Sequence, residues 1–297
     1  MMKRSALSIF LFALCAVSSP AQTGLLMDVK GGAIVVSENG SPIFHYNFKP
    51  VWKEGFPETM SRCCYLHPVY LPDGTPITDD FNPDHPHHRG ISWMWPNVTV
   101  DGKTYDLWTV GDIKHRFRSF SRGTAVSPLT LTALSGWNIG ERKVVDERVD
   151  IDVHPARNNS RRLDFTLRFE ASDAPVEIMG TPDQKKGFGG FCFRFAPRDG
   201  GRVNTVIRTG KGVSKGDGVM EVHPWAQIEG VFQGKRGGAR VEDDPGNPGY
   251  PNGWLMRYGF GFLNPSYPGL TPMKLERGKP LVLRYRVTLY SGAAPNE

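Results

Sequence analysis

The run Asp84-His85-Pro86-His87-His88-Arg89-Gly90 concentrates more reactive side chains than any other stretch of the chain. Five of its seven residues can ligate a metal, move a proton or hold an anion. In an extended conformation, His85 and His87 project to one face, and Pro86 and His88 to the other. Two imidazoles on one face could share a divalent metal ion, with Asp84 or Asp80 completing the ligand set. Equally, a histidine that titrates near neutrality could act as general acid or base, with Arg89 holding a carboxylate or developing negative charge. The H-x-H spacing does not choose between these chemistries. A purely structural, hydrogen-bonded histidine cluster is the bland alternative. Three histidines in four residues, flanked by Asp and Arg and followed by Trp93 and Trp95, favour a site. The acid/base reading rests on His87, His88 and Arg89, and the metal reading on His85, His87 and Asp84.

Two irregular stretches, residues 57–96 and 243–268, break the patterning of the chain and gather Pro, Gly, Asn and aromatic residues. Irregular segments on a β scaffold are where function usually sits. Trp93 and Trp254 sit beside them and are the tryptophans expected to stack on a ligand, while the others are expected to pack the core. Asn247, Arg257 and Lys186 are expected to line the opposite rim. Lys185-Lys186-Gly187-Phe188-Gly189-Gly190 lacks the spacing of a phosphate loop and precedes a strand, so it reads as a turn.

The scaffold that must position these residues is legible in the composition. The chain has 297 residues with 34 Gly and 24 Pro, too many for a helical bundle. At 39% hydrophobic and 11% aromatic it is also too apolar for disorder. Strict alternation is the strongest secondary-structure signal. Leu163, Phe165, Leu167 and Phe169 share one face of residues 162–170, with charged and polar residues on the other. Leu281, Leu283, Tyr285, Val287 and Leu289 repeat the pattern, as do Val149, Ile151 and Val153. Glu38-Asn39-Gly40, Asp73-Gly74, Asp101-Gly102 and Asp199-Gly200-Gly201 supply turns between strands. No helix longer than two or three turns is expected. The expected architecture is all-β: one large antiparallel β-sandwich over residues 22–297, with long irregular loops.

Residues 1–21 read as an export signal: Lys3 and Arg4, an apolar run over 6–17, then Ser19-Pro20-Ala21 as a cleavage site. No later segment is long and apolar enough to span a membrane, so a periplasmic or secreted chain is expected. Cys15 sits after Leu14, too large for a lipid-attachment site, which favours plain cleavage. The net charge is +6, but its basic residues are dispersed, and Lys114-His115-Arg116-Phe117-Arg118 alternates as a strand does. Nucleic acid is therefore not the expected partner; a small-molecule or glycan ligand is, acidic if the charge is used. Cys63, Cys64 and Cys192 remain after cleavage, an odd number that leaves at least one thiol unpaired. Cys192 alternates with three phenylalanines and is expected on the opposite strand face.

Tyr65-x-His67-Pro68, Asp73-Gly74, the run of residues 84–90 and Trp93 resemble a bacterial family of exported proteins of unknown function that carries the label "methane oxygenase PmoA". The resemblance continues through residues 185–190, Asp244-Pro245-x-Asn247-Pro248, Trp254-x-x-Arg257-Tyr258-Gly259 and Asn264-Pro265. Where that family commonly shows His-Pro, this chain has Asp244-Pro245. The label implies a multi-span membrane oxidase, which a chain without spanning segments contradicts. A fold-level resemblance to the galactose-mutarotase supersandwich implies a sheet face that binds a sugar, with histidine as proton donor. An enzyme acting on a carbohydrate or sugar derivative is the leading expectation, as epimerase, lyase or hydrolase, with acid/base or divalent-metal chemistry. A non-catalytic carbohydrate-binding or surface-assembly protein is the alternative, and a metal-dependent oxidase a second one.

Overall fold

The computed structural model describes residues 24–214 and 216–295, so the expected export signal and Cys15 lie outside the described residues. Two nine-stranded antiparallel sheets face each other, with a four-stranded sheet beside them. In spatial order the first sheet runs Leu25–Lys30, Ala33–Glu38, Ser41–Asn47, Tyr65–Val69, Ile91–Met94, Gly190–Arg194, Phe262–Ser266, Gly253–Arg257 and Gly218–Val222. The second is centred on the long strands Arg142–Val153, Ser160–Ala171 and Leu281–Ser291. The helices among the described residues are short 3-10 turns. This is the expected antiparallel β-sandwich.

The alternation places the core between the sheets. Leu163, Phe165, Leu167 and Phe169 are buried and pair across with the buried Val287, Tyr285, Leu283 and Leu281. Trp95 of the first layer meets Trp137 and Phe169 of the second at 5.2 and 5.1 Å between ring centroids. Phe191 likewise packs on Phe165 and Tyr285. Each such aromatic buries a large apolar area, which is the main favourable term in holding two sheets together. Asn39-Gly40 and Asp101-Gly102 both take positive φ in succession, the turn that matches strand twist in tight hairpins.

The central strands of the first sheet are buried on both faces, and this creates the setting for a site. Trp93 pairs with Phe191 and Ser92 with Cys192, so the tryptophan and phenylalanine look into the sandwich. Ser92, Cys192 and Arg194 look the other way, onto the face covered by the irregular segment 57–96. Cys192 thus lies opposite the phenylalanines, its Sγ 3.2 Å from Ser92 Oγ. Cys63, Cys64 and Cys192 are all free and buried.

Gly90 joins the covering segment to the sheet. Its amide donates to Asp79 O at 2.8 Å and its carbonyl accepts from Arg194 N at 2.7 Å. With φ at +38° and a built Cβ only 1.9 Å from Leu66 O, the position admits no side chain. Gly90→Ala should cost at least about 3 kcal/mol or abolish folding. Urea denaturation measures it, and a loss below about 1 kcal/mol would show that this junction yields.

Candidate functional site

The histidine run is not extended. His85 N donates to Asn82 O at 3.1 Å and His88 N to His85 O at 3.0 Å, two successive turns. Pro86 stands second in the latter turn, where its fixed φ is pre-set for that geometry. The turn reverses the expected facing: His85 stacks on His88, centroids 4.8 Å apart and planes 7° from parallel. His87 meets the edges of both rings, 5.7 Å from His85 and 4.5 Å from His88.

Two members of the run are anchors. Arg89 is fully buried: Nη1 donates to Asp80 Oδ1 at 2.7 Å, Nη2 to Met60 O at 2.7 Å, and the guanidinium lies 3.2 Å over the Phe81 ring. Tyr65 Oη donates to the other oxygen of Asp80 at 2.8 Å. His88 is 5% exposed, stacked on Phe262 at 4.5 Å and set edge-on to Trp108 at 5.5 Å. Neither Arg89 nor His88 offers a free surface to a substrate, which corrects their expected contact roles. Asp84 is exposed at the same turn, and His85 and His87 are half-buried.

Asp84 is the hub of the exposed half. One carboxylate oxygen accepts from Arg194 Nη2 at 2.8 Å, and the other lies 3.4 Å from His85 Nδ1. Arg194 also lies 3.5 Å from Asp79 and 4.6 Å over the Phe260 ring. Phe260 in turn packs on His85 at 4.5 Å. Asp79, Asn82, Asp84, Arg194, Arg198 and Phe260 line a depression of about 250 Å³. That is the scale of a single small ring, below the roughly 300–1,000 Å³ of drug-sized sites.

The charges explain how the imidazoles are held. Burial lowers the His87 pKa to about 4, reinforced by His85, Arg62, Arg89 and Arg194. His88 is pushed well below the ordinary histidine value, again by burial first and then by His87, His85, Arg194 and Arg62. Burial opposes ionisation of Asp84, but Arg194 and His85 outweigh it and hold its carboxyl below the usual range. At neutral pH the turn therefore presents neutral His87 and ionised Asp84.

The other expected site residues are scattered. Trp93 and Trp254 are fully buried, and Trp254 Nε1 donates to His223 O at 2.7 Å, so both belong to the core instead of a stacking surface. Asn247 is buried and braces its loop: Nδ2 donates to Asp243 Oδ1 and Arg284 O, and Oδ1 accepts from Arg284 N. It does not line the depression beside His85. Lys186 pairs with Asp183 at 3.1 Å in its own turn, whose Phe188 touches Trp108. Arg257 shares a rung with Phe262, the ring under His88, and lies 3.4 Å from Asp217. Among the described residues no group of three His, Cys, Asp or Glu side chains is placed to hold a metal ion. Asp84, His85 and His87 do not form the expected ligand set.

Arg194, Asp79 and Phe260 belong to the site but escaped the sequence reading. Arg194 had a readable signal: it shares the strand face of Cys192 in Phe191-Cys192-Phe193-Arg194-Phe195, opposite the phenylalanines. Phe260 had none, because only the fold brings it to His85.

Residues 33–297 match a protein family described as "Family of unknown function (DUF6807)". The methane-oxygenase label suggested by the motifs finds no support in that match. No curated protein sequence matches significantly. Among solved structures, a kojibiose phosphorylase from the human microbiome is similar with TM-score 0.37 and 11% identity, over 87% of this chain and 27% of the phosphorylase. The chain thus spans about a quarter of that relative. A GalM/aldose epimerase homologue from C. elegans is similar with TM-score 0.40 and 7% identity, over 92% of this chain and 100% of the homologue. Likenesses this weak carry no weight for function.

The depressed imidazoles give the protein a pH signature. A histidine whose pKa falls on folding binds its proton more readily in the unfolded chain. Between its ordinary 6.5 and about 4, His87 therefore makes stability fall as pH falls, with full stability above that window. His87→Gln should flatten the decline in the urea midpoint between these two pH values. Parallel curves for variant and wild type would refute the assignment.

Proposed function

The chain belongs to the family of unknown function DUF6807, and we propose that it is an enzyme acting on a carbohydrate or sugar derivative by histidine-centred proton transfer. The observation that carries this reading is Asp84 bridging His85 and Arg194 at the mouth of a depression with an aromatic wall. The Asp84 carboxylate lies 3.4 Å from His85 Nδ1, an atom with no hydrogen-bond partner, so its charge favours a proton on that nitrogen and leaves Nε2 as the working nitrogen. Arg194 is nearly buried and acts through its charge: it holds Asp84 ionised and favours, over the depression it lines, a carboxylate or an oxygen that gains negative charge as a proton leaves the neighbouring carbon. Proton abstraction beside such a group is the chemistry of epimerases and lyases. Phe260 with Asp79, Asn82 and Arg198 supplies the combination that suits a sugar: one ring face and several groups for hydroxyls. The same reading takes the apolar run over residues 6–17 as an export signal, with the activity outside the cytoplasm.

Roles within the run are accordingly redistributed. His85 transfers the proton, Asp84 and Arg194 orient it and the substrate, and neutral His87 lines the approach. His88 and Arg89 hold the turn in place. On a panel of aldoses and uronates, His85→Gln should lower turnover at least about 100-fold with a nearly unchanged melting temperature. Undiminished turnover in that variant would remove the assignment.

One observation favours a second reading, a non-catalytic carbohydrate-binding protein: half of the run is buried in a structural network. Under that reading the ligand binds without conversion, and His85→Gln keeps its affinity. Calorimetry beside a product assay on the same saccharide separates the two. The buried half makes the same demand under both: Arg89→Met should cost about 3–5 kcal/mol, because it leaves Asp80 uncompensated. Equal stability of the variant would show the pair to be dispensable.

A further inference from the structure

A second depression lies apart from the Asp84–His85 site and is lined by a different set of charges. A cleft of about 710 Å³ is bordered by Lys103, Tyr105, Asp112, Lys114, Arg116 and Asn138, among others. A smaller cavity of about 50 Å³ shares Val110 and Lys114 with it and is lined further by Arg62, Cys63 and His115. No Asp or Glu lines the smaller cavity. His115 is matched from its other side by the buried Glu147 at 3.2 Å, and Arg116 by Glu141 at 2.7 Å.

Arg62 has no such match. It is 4% exposed, and its Nη2 donates to the carbonyls of Leu107 and Trp108 at 2.8 and 2.7 Å. Its Nε has no partner, and among the described residues no carboxylate forms an ion pair with it. Burial, with Arg89 nearby, draws its pKa down to about 10. Lys114 is half-buried: its Nζ donates to Thr59 O at 3.1 Å, and it forms no ion pair with a carboxylate among the described residues. A desolvated guanidinium without a counter-charge is costly, and a carboxylate satisfies it best through charge-assisted hydrogen bonds.

We propose that Arg62 and Lys114 form an anion site that takes the carboxylate of an acidic ligand, whose body lies in the outer cleft. The inner cavity has room for a group of water-like dimensions or a little more, so it admits a carboxylate and excludes a ring. The outer cleft has the volume for a ring-sized body, with Tyr105 as an apolar wall and Asn138 as a hydrogen-bonding group. The basic alternation around Lys114 and Arg116, which the Asp84–His85 site does not use, gains a role here. This site stands whether or not the proposed turnover is found.

The test is an NMR titration of the full chain with D-galacturonate, using D-galactose as the uncharged counterpart at constant ionic strength. Galacturonate should shift the backbone amides of Val110, Gly111 and Lys114, and galactose should leave them at least tenfold less responsive. Lys114→Gln, at a partly exposed position that tolerates substitution, should weaken the response at least tenfold. Equal responses to the two sugars would overturn the proposal. So would an unchanged titration in Lys114→Gln, or shifts confined to Gly259 and Phe260 at the other depression.

Discussion

The ion pair between Arg89 and Asp80 is the constraint on which the site depends. It is buried on both sides, and Arg89 also binds the carbonyl of Met60 and covers the face of Phe81. Asp80 in turn accepts from Tyr65 of the first sheet. One guanidinium therefore ties three parts of a long irregular segment to the sheet beneath it. A buried charge pair of this kind adds little net stability but is severely destabilising to break. It specifies one arrangement of a segment that has no ladder of its own to follow.

That anchoring divides the histidine run by function. Pro86 bends the chain, Arg89 and His88 face inward, and Asp84, His85 and His87 are left at the surface with their neighbours fixed. The cost is a concentration of positive charge under the turn, from Arg62, Arg89 and Arg194, of which Arg89 is met by Asp80 and Arg194 by Asp79 and Asp84. The same cations help keep His87 neutral. An imidazole held without a proton and a carboxylate held without one are two products of a single electrostatic arrangement.

Much of the scaffold was legible in the sequence because the sandwich obeys one local rule. Side chains alternate along Ser160–Ala171 and Leu281–Ser291, and period two fixes which residues are buried. The site was legible only as a region. Reading residues 84–90 as extended assigned His85 and His87 to one face, whereas the Pro86 turn stacks His85 on His88. Trp93 and Trp254 sit next to irregular segments in sequence, yet strand alternation turns both into buried positions. Asn247 looked like a ligand group and serves its own loop. Arg194 and Phe260 reach the histidine turn through long-range pairing, and no local pattern in a single sequence reports which distant strand will arrive beside a given turn.

The rung beneath the turn has a consequence for how the protein is made. It joins Gly90, Arg194 and Phe262, which come from three segments far apart along the chain. Loop closures of that length precede any reward from the contacts they enable, so such topologies fold slowly. A ribosome must deliver most of the polypeptide before Phe262 exists, and until then His88 has no ring to stack on. A fragment ending before Phe262 keeps the partners of Arg89 but lacks the ring under His88. The candidate site is therefore complete only when strands from both halves of the chain have paired.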